Sequence, residues 1–257
     1  MSVIRVENLN KSIRGKVILE DLSFTVERGD CLALIGPNGA GKTTFFNLLT
    51  GVYEPTEGTV SLEVDRQLKN LNGLPPYKRT SLGMARTFQN IRLFKDLTVL
   101  ENVMIAMHAH SSDSLFSTLF RTKKYYDTEA KMREEAVELL KIFNLDTLKD
   151  EKAKNLAYGQ QRELEIVRAL ATKPKILFLD EPAAGMNPQE TAQLTELIAK
   201  IQAEFDLTVV LIEHDMSLVM KICQRIYVLE YGRLLAEGTP EEIKQNPAVI
   251  KAYLGGE

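Results

Sequence analysis

The chain of 257 residues has no tryptophan, two cysteines and three histidines. Cys31 and Cys223 both lie in apolar segments and neither has a CxxC neighbour. That spacing argues against a disulfide framework or a zinc ribbon and predicts two buried thiols in a reducing compartment. Excess charge is also lacking: 32 Lys and Arg against 35 Asp and Glu leave a net −3. A nucleic-acid binder working through bulk phosphate contacts needs clustered positive charge, so that class is set aside. No uncharged apolar run approaches the ~18 residues of a membrane-spanning helix. The charged, alternating start MSVIRVENLNKSIRGK predicts no secretory signal. These absences point to a cytoplasmic chain with no nucleic-acid partner.

What remains is ordinary globular composition, 44% hydrophobic and 26% charged, patterned in three blocks. The first reads as β: Val3 to Glu7, Val17 to Leu19 and Leu22 to Val26 are short β-branched runs separated by charged turns, predicted to be antiparallel strands. Cys31 to Ile35 is continuously apolar, as a strand buried on both faces requires. A glycine-rich turn, a helix from about Thr43 to Thr50 stopped by Gly51, and a strand from Thr59 to Val64 follow. From Asn90 to Lys154 the periodicity is helical. Thr98 and Glu101 are spaced as a capping box for a helix to Met107. Ala136, Leu139, Leu140 and Phe143 stripe a second helix from Glu129. His110 to Tyr126 between them reads as loop or short helix. The last block alternates again. A helix runs from about Gln160 to Ala171, and strands are predicted at Ile176 to Leu179 and Thr208 to Ile212. Asn187, Pro188 and Glu190 cap a helix between those strands. A hairpin turns at Gly232, and Thr239 caps a final helix. The fold expected is α/β with a mixed sheet, an N-terminal antiparallel portion and an inserted helical subdomain. All of it forms one domain, with a core of residues 1–89 and 155–257 around an insertion at 90–154.

Three apolar strands end in chemistry. The first runs into Gly36-Pro37-Asn38-Gly39-Ala40-Gly41-Lys42-Thr43, which matches G-x-x-x-x-G-K-[ST], the phosphate-binding Walker A loop, between a buried strand and a helix. Glycines let backbone N–H groups converge on phosphate oxygens, and the helix N-terminus adds its dipole. Lys42 is placed for the β- and γ-phosphates and the Thr43 hydroxyl for Mg²⁺. The second strand ends in Asp180-Glu181, a Walker B pattern: Asp180 holds Mg²⁺, and Glu181 accepts a proton from attacking water. The third ends at His214. Ligands of open α/β sheets bind at the carboxyl ends of strands, so His214 is expected at the γ-phosphate or the attacking water. His108 and His110, in the helical block, read as solvated side chains.

With these motifs in order, the chain resembles the nucleotide-binding subunit of an ABC transporter. Gln89 in Arg86-Thr87-Phe88-Gln89-Asn90 matches the Q-loop. Leu156-Ala157-Tyr158-Gly159-Gln160 occupies the signature position about twenty residues before Walker B. Gly185-Met186-Asn187-Pro188 sits where the D-loop belongs, and His214 is the H-loop. The phrases Gly83 to Phe94 and Glu181 to Pro188, and the tail Glu237 to Ile243, are similar to one subgroup, the first ATPase subunit of bacterial branched-chain, or hydrophobic, amino-acid importers. Urea or amide import, lipopolysaccharide export and a soluble non-transport ATPase are the alternatives.

The resemblance implies ATP and Mg²⁺ as cofactors. The nucleotide would be held by Ile13, the whole loop from Gly36 to Thr44 and, in the opposed subunit, Ala157, Tyr158, Gly159 and Gln160. Mg²⁺ would be held by Thr43, Gln89 and Asp180, and the catalytic set would be Glu181, His214, Lys42 and Gln89. The implied partners are a second, related ATPase chain closing head to tail, two integral membrane permease subunits contacted through Asn90 to Phe94, and an extracytoplasmic substrate-binding protein. The implied place is the inner face of the cell membrane. Two departures stand out. Ala157 replaces a serine whose hydroxyl contact is worth about 1 kcal/mol net, with Tyr158 beside it in place of a glycine. Ile13 stands where the family places an aromatic against adenine.

Overall fold

The computed structural model describes residues 2–108 and 123–254, in two compact units: 1–86 with 175–257, and 87–174. The first unit opens with β1 (Ser2–Ile13) and β2 (Lys16–Glu27), then β3 (Cys31–Ile35), α1 (Lys42–Leu49), β4 (Glu57–Val64), β5 (Gln67–Asn70), α2 (Pro76–Ser81) and β6 (Met84–Arg86). The second unit contains α3 (Val99–His108), α4 (Lys123–Ile142), two single turns, and α5 (Tyr158–Leu170). The chain then returns to the first unit through β7 (Ile176–Asp180), α6 (Pro188–Glu204), β8 (Thr208–Ile212) and α7 (Met216–Ile222). It ends with β9 (Arg225–Glu230), β10 (Arg233–Gly238), α8 (Pro240–Gln245) and α9 (Pro247–Leu254).

Two sheets build the first unit. One is antiparallel, in the order β2-β1-β4-β5. The other, β10-β9-β3-β8-β7-β6, is parallel except for the β9–β10 hairpin. β3, β7 and β8 are buried at every residue, as strands covered on both faces must be. Phe45 and Phe46 of α1 are buried within one apolar core with residues of both sheets, among them Leu9 and Val60 of the first and Leu34 and Phe178 of the second. The Phe46 and Phe178 rings meet edge to face at 5.5 Å, an arrangement that suits the aromatic quadrupole.

The short runs expected at the N-terminus are longer strands. β1 continues to Ile13 and β2 joins Val17–Leu19 to Leu22–Val26, because register shifts absorb the polar interruptions at Asn8 and Asp21 (both at positive φ) without ending the ladder. Their hairpin turns on Arg14 and Gly15, both at positive φ, the conformation that matches strand twist. Three elements carry no advance signal: β5, which is exposed throughout, α2, and the three-residue β6. Thr239 caps α8 as expected, but α8 is not last, since α9 follows after Asn246.

In the second unit the capping box is in place: Glu101 N–H donates to the Thr98 hydroxyl at 3.1 Å and Thr98 N–H to the Glu101 carboxylate at 2.7 Å. No strand occurs here among the described residues. The expected insertion limits, 90 and 154, shift to 87 and 174. The reason is that α5 packs with α3 and α4, burying Leu164, Ile166 and Val167. α5 starts at Tyr158, two residues before the expected Gln160. Most of the His110–Tyr126 stretch, including His110, lies outside the described residues; Lys123–Tyr126 belong to α4, and His108 is exposed as expected.

The end of α1 shows how a buried cation can replace a helix cap. Arg79, 1% exposed, donates to the carbonyls of Leu48 (2.7 Å), Leu49 (2.8 Å), Leu71 (2.8 Å) and Leu74 (2.9 Å). One side chain thus reaches four carbonyls, two of them (Leu48 and Leu49) at the helix terminus, where intrahelical donors run out. Burial lowers the pKa of the guanidinium, and nearby Glu54 opposes that shift. Arg79→Met, which keeps the bulk and removes every donor, should lower the unfolding free energy by about 3 kcal/mol. Urea denaturation of the purified chain measures it, and a loss below about 1 kcal/mol would refute this account of the helix end.

Candidate functional site

The parallel ladder sets the site. β3, β8 and β7 are neighbours in that order, with Leu34 opposite Ile212 and Ile212 opposite Asp180. Their carboxyl ends therefore deliver Gly36, His214 and the pair Asp180-Glu181 to one sheet edge.

The loop after β3 is shaped by glycine. A Cβ at Gly36 would sit 2.2 Å from the Leu229 carbonyl oxygen, and its φ of 148° suits no other residue. Gly41, at φ 104°, is the N-cap of α1 and leaves no room beside Leu19, whose methyl would be 2.5 Å from a Cβ. Gly39, by contrast, faces open space. Lys42 is buried, and its ammonium donates to the carbonyls of Gly36 at 2.7 Å and Pro37 at 3.0 Å. Burial lowers its pKa; the charges of Glu181 and Asp180 pull the other way. Thr43 is exposed at the first turn of α1, Thr44 is half-buried, and Ile13 is half-buried at the end of β1.

Glu181 leaves β7 in the left-handed region, φ 48°, a conformation that costs a non-glycine residue of order 1 kcal/mol or more. Its N–H donates to the Ile212 carbonyl at 2.9 Å. The side chain meets His214: Glu181 Oε1 and His214 Nε2 are 3.1 Å apart. Two residues named from separate strands thus form one polar pair. Asp180 is buried and ion-paired with Arg86 at 2.6 Å.

Three further residues shape this edge without having been named for it. Glu213, 3% exposed, accepts from the backbone N–H of Ala183 (2.8 Å), His214 (2.8 Å) and Asp215 (3.2 Å). It ties the turn after Glu181 to the turn that carries His214. Gly232, at the β9–β10 turn, donates to the Ala40 carbonyl at 3.0 Å and so braces the loop. The phenol of Tyr253 on α9 is raised in pKa by burial, and the Gly36 N–H, bonded to it, lowers it in part. An acid directly before the strand-end His was visible in the sequence; the other two contacts come from long-range packing and left no local pattern.

The second unit carries Gln89 and the segment 157–160. Gln89 is exposed, and its carbonyl accepts from Arg162 Nη2 at 2.7 Å. Arg162 Nη1 donates to the Phe88 carbonyl at 2.6 Å and to Glu165 at 3.0 Å, and Glu165 accepts from Arg92 N–H at 3.2 Å. This buried pair on α5 holds the Gln89 strand of chain from both sides. Burial raises the pKa of Glu165; the Arg92 N–H and the Arg162 charge pull it down. Ala157 is the N-cap of α5 and supplies no side-chain acceptor; its own N–H goes to Gln160 Oε1 at 3.1 Å. Tyr158 is exposed at the first helical position, followed by Gly159. The N–H groups of that first turn have no intrahelical partners, which suits an anion.

Comparison with known proteins identifies the family. The family model for ABC transporters matches residues 19–184, and a model described as branched-chain amino acid ATP-binding cassette transporter matches residues 233–257. The chain is 47% identical over 253 residues to the high-affinity branched-chain amino acid transport ATP-binding protein BraF of Pseudomonas aeruginosa, covering 98% of each. It is 45% identical to the corresponding LivG protein of Escherichia coli K12, again over 98% of each. It is 32% identical to the lipopolysaccharide export ATP-binding protein LptB of the same organism, over 99% of this chain and 98% of that one. Among solved structures, the ADP conformation of MJ1267, an ATP-binding cassette of an ABC transporter, superposes with a TM-score of 0.85 at 33% identity over the full length of both chains. The structure of cbiO1 from Clostridium perfringens, part of the ABC transporter complex cbiONQ, gives 0.79 at 26% identity, over 97% of this chain and 93% of that one. The chain belongs to the ABC transporter family, as one of its ATP-binding cassettes.

Proposed function

We propose that this chain is the ATP-hydrolysing motor subunit of an importer for branched-chain or other hydrophobic amino acids, working from the cytoplasmic face of the membrane. The observation that carries the motor reading is the Glu181–His214 contact of 3.1 Å at the ends of neighbouring parallel strands, beside the glycine loop. The cargo class is supported by identities of 45–47% to branched-chain amino acid proteins against 32% to the lipopolysaccharide exporter. It is also supported by the match over residues 233–257.

ATP is the substrate. The loop from Gly36 to Thr44, through N–H groups that follow Pro37, and the α1 N-terminus take its phosphates, and Ile13 offers the adenine an apolar face. Lys42 exchanges the Gly36 and Pro37 carbonyls for phosphate oxygens of greater charge. Water attacks the γ-phosphorus, and the bond to the β–γ bridging oxygen breaks, giving ADP and phosphate. Glu181 orients the water and takes its proton; His214, bonded to Glu181, fixes that carboxylate and reaches the γ-phosphate. Asp180 and Thr43 would hold Mg²⁺; a carboxylate and a hydroxyl are hard oxygen donors of the kind this ion prefers. When bound, Mg²⁺ neutralises charge on the β- and γ-phosphates. Ala157, Tyr158, Gly159 and Gln160 serve a nucleotide on the opposing ATPase chain, so two such chains complete two sites. The α5 N-terminus supplies N–H donors there, without the hydroxyl that a serine at 157 would add.

The remaining partners are two membrane permease subunits and an extracytoplasmic binding protein. An exposed Phe94 (47%), with Arg168 5.0 Å from its ring centre, supports a permease contact at Asn90–Phe94.

Purification of the tagged chain from detergent-solubilised membranes of its own cell, with identification of what accompanies it, tests the transport reading. Polytopic membrane proteins and a second ATPase are expected, and the complex should drive leucine uptake in vesicles. Recovery with lipopolysaccharide-transport components, or only from cytosol, sinks the amino-acid reading. Lys42→Ala should abolish nucleotide binding, measured by equilibrium titration. Glu181→Gln should bind ATP normally and hydrolyse it about 100-fold to 10,000-fold more slowly; near-normal turnover removes Glu181 as the base. Glu213→Gln keeps one acceptor oxygen but turns N–H groups toward backbone donors. It should lower kcat about tenfold with nucleotide affinity unchanged, since it misplaces His214 rather than the loop. An equal loss of affinity would show Glu213 to be structural only.

A further inference from the structure

Arg86 is the last residue of β6 and of the first unit. Its side chain is 7% exposed, and its terminal nitrogens go to two different elements. Nη2 donates to Oδ2 of Asp180 at 2.6 Å, where the carboxylate is itself 3% exposed. Nη1 donates to Oδ1 of Asn47 at 2.7 Å and to the Thr50 hydroxyl at 3.0 Å, at the far end of α1. The guanidinium carbon lies 5.6 Å from the centre of the Phe46 ring. The pairing of β6 with β7, Arg86 opposite Phe178, places this fork two residues before Asp180 along the neighbouring strand. The guanidinium is therefore gripped on both sides.

We propose that Arg86 is a built-in counter-cation to Asp180 that sets the Mg²⁺ concentration at which this chain binds its nucleotide. The inference rests on the reading of Asp180 as a Mg²⁺ ligand. A buried carboxylate without a partner is strongly destabilising, so between nucleotides Arg86 gives Asp180 its partner and holds it oriented. The same charge then opposes the arriving dication. Mg²⁺ must share a carboxylate that already makes a short charge-assisted bond, and two cations beside one carboxylate repel in a dry site. A neutral side chain at position 86 would leave the full charge of Asp180 to the ion. Arg86 is thus a positioning residue that acts through Asp180 and does not touch ATP.

The test is equilibrium binding of a fluorescent ADP analogue to the full chain across Mg²⁺ concentrations, which reads binding without turnover. Nucleotide affinity of the unaltered protein should rise with Mg²⁺. In Arg86→Gln, which keeps hydrogen-bonding capacity and removes the charge, half-saturating Mg²⁺ should fall about tenfold. In Arg86→Lys, which keeps the charge, it should stay within about twofold of the unaltered protein. An unchanged or higher Mg²⁺ requirement in Arg86→Gln overturns the proposal; a purely structural role would lower the melting temperature and leave that requirement alone. If Arg86→Gln does not fold, Arg86→Lys carries the test: agreement with the unaltered protein supports the charge role, and a shift beyond about fivefold overturns it. Asp180→Asn separates this idea from its foundation. If that variant keeps full Mg²⁺ dependence, or the unaltered protein has none, the reading of Asp180 fails, whatever Arg86 does.

Discussion

Everything at the proposed ATP site depends on one register, the parallel ladder that runs β3, β8, β7. Each strand is buried at all five residues, so no strand can slip without moving apolar side chains and ladder hydrogen bonds together. Because the ladder is parallel, all three strands end on the same edge. Chemistry from residues 36, 180–181 and 214 meets there although nearly 180 positions separate the extremes. A slip of one residue on β8 would carry His214 away from Glu181 and uncouple Glu213 from Ala183. The precision of the polar contacts is borrowed from the rigidity of the apolar strands beneath them.

The turns that leave those strands are held by long-range bonds rather than by their own preferences. Glu181 adopts a left-handed backbone that its side chain disfavours; the Ile212 carbonyl holds its own N–H, and the Glu213 carboxylate holds the N–H of Ala183 two residues on. The loop after β3 is braced in the same way, by Gly232 at Ala40 and by Leu229 packed against Gly36. Strain of this kind persists only where the surroundings over-determine it. At Glu181 the surroundings are the neighbouring strand ends.

Much of this was legible in the residues. Continuous apolar runs ending in Gly, Asp-Glu and His named the parallel strands and the edge where they converge. The Thr98, Asn187 and Thr239 caps were read from spacing and fall where the spacing puts them. Less legible was whatever depends on tertiary partners. β5 is exposed and β6 has three residues, so neither has a hydrophobic period to read. Asn8 and Asp21 look like strand breakers, yet bulges carry the strands through them. The compact units divide at 86 and 174 instead of 89 and 154 because α5 is amphipathic toward α3 and α4, and a helix pattern does not say which neighbour it faces. Nothing in the local sequence marks Arg79, Arg86 and Arg162 as interior cations; their burial depends on carbonyls and carboxylates brought to them by the fold.

Those buried arginines share one logic with Lys42. Each cation in the interior is matched to acceptors that exist before any ligand arrives: Lys42 to two loop carbonyls, Arg86 to Asp180, Arg162 to Glu165 and to the Phe88 and Gln89 carbonyls. Such a site is not a set of charges waiting in water. Binding a phosphate exchanges one partner for another of greater charge, and the dehydration cost of the buried groups has already been met in folding. The selectivity of the exchange then lies in the difference between the old partner and the new. A carbonyl holds Lys42 more weakly than a phosphate oxygen does, so that exchange runs downhill. A carboxylate holds Arg86 strongly, so under the proposal above an ion drawn to Asp180 meets resistance. Lys42 and Arg86 sit at the two ends of one short path, from the loop along α1 to β6 and back to β7. The same helix therefore presents one cation that yields readily to the nucleotide and anchors another that does not yield.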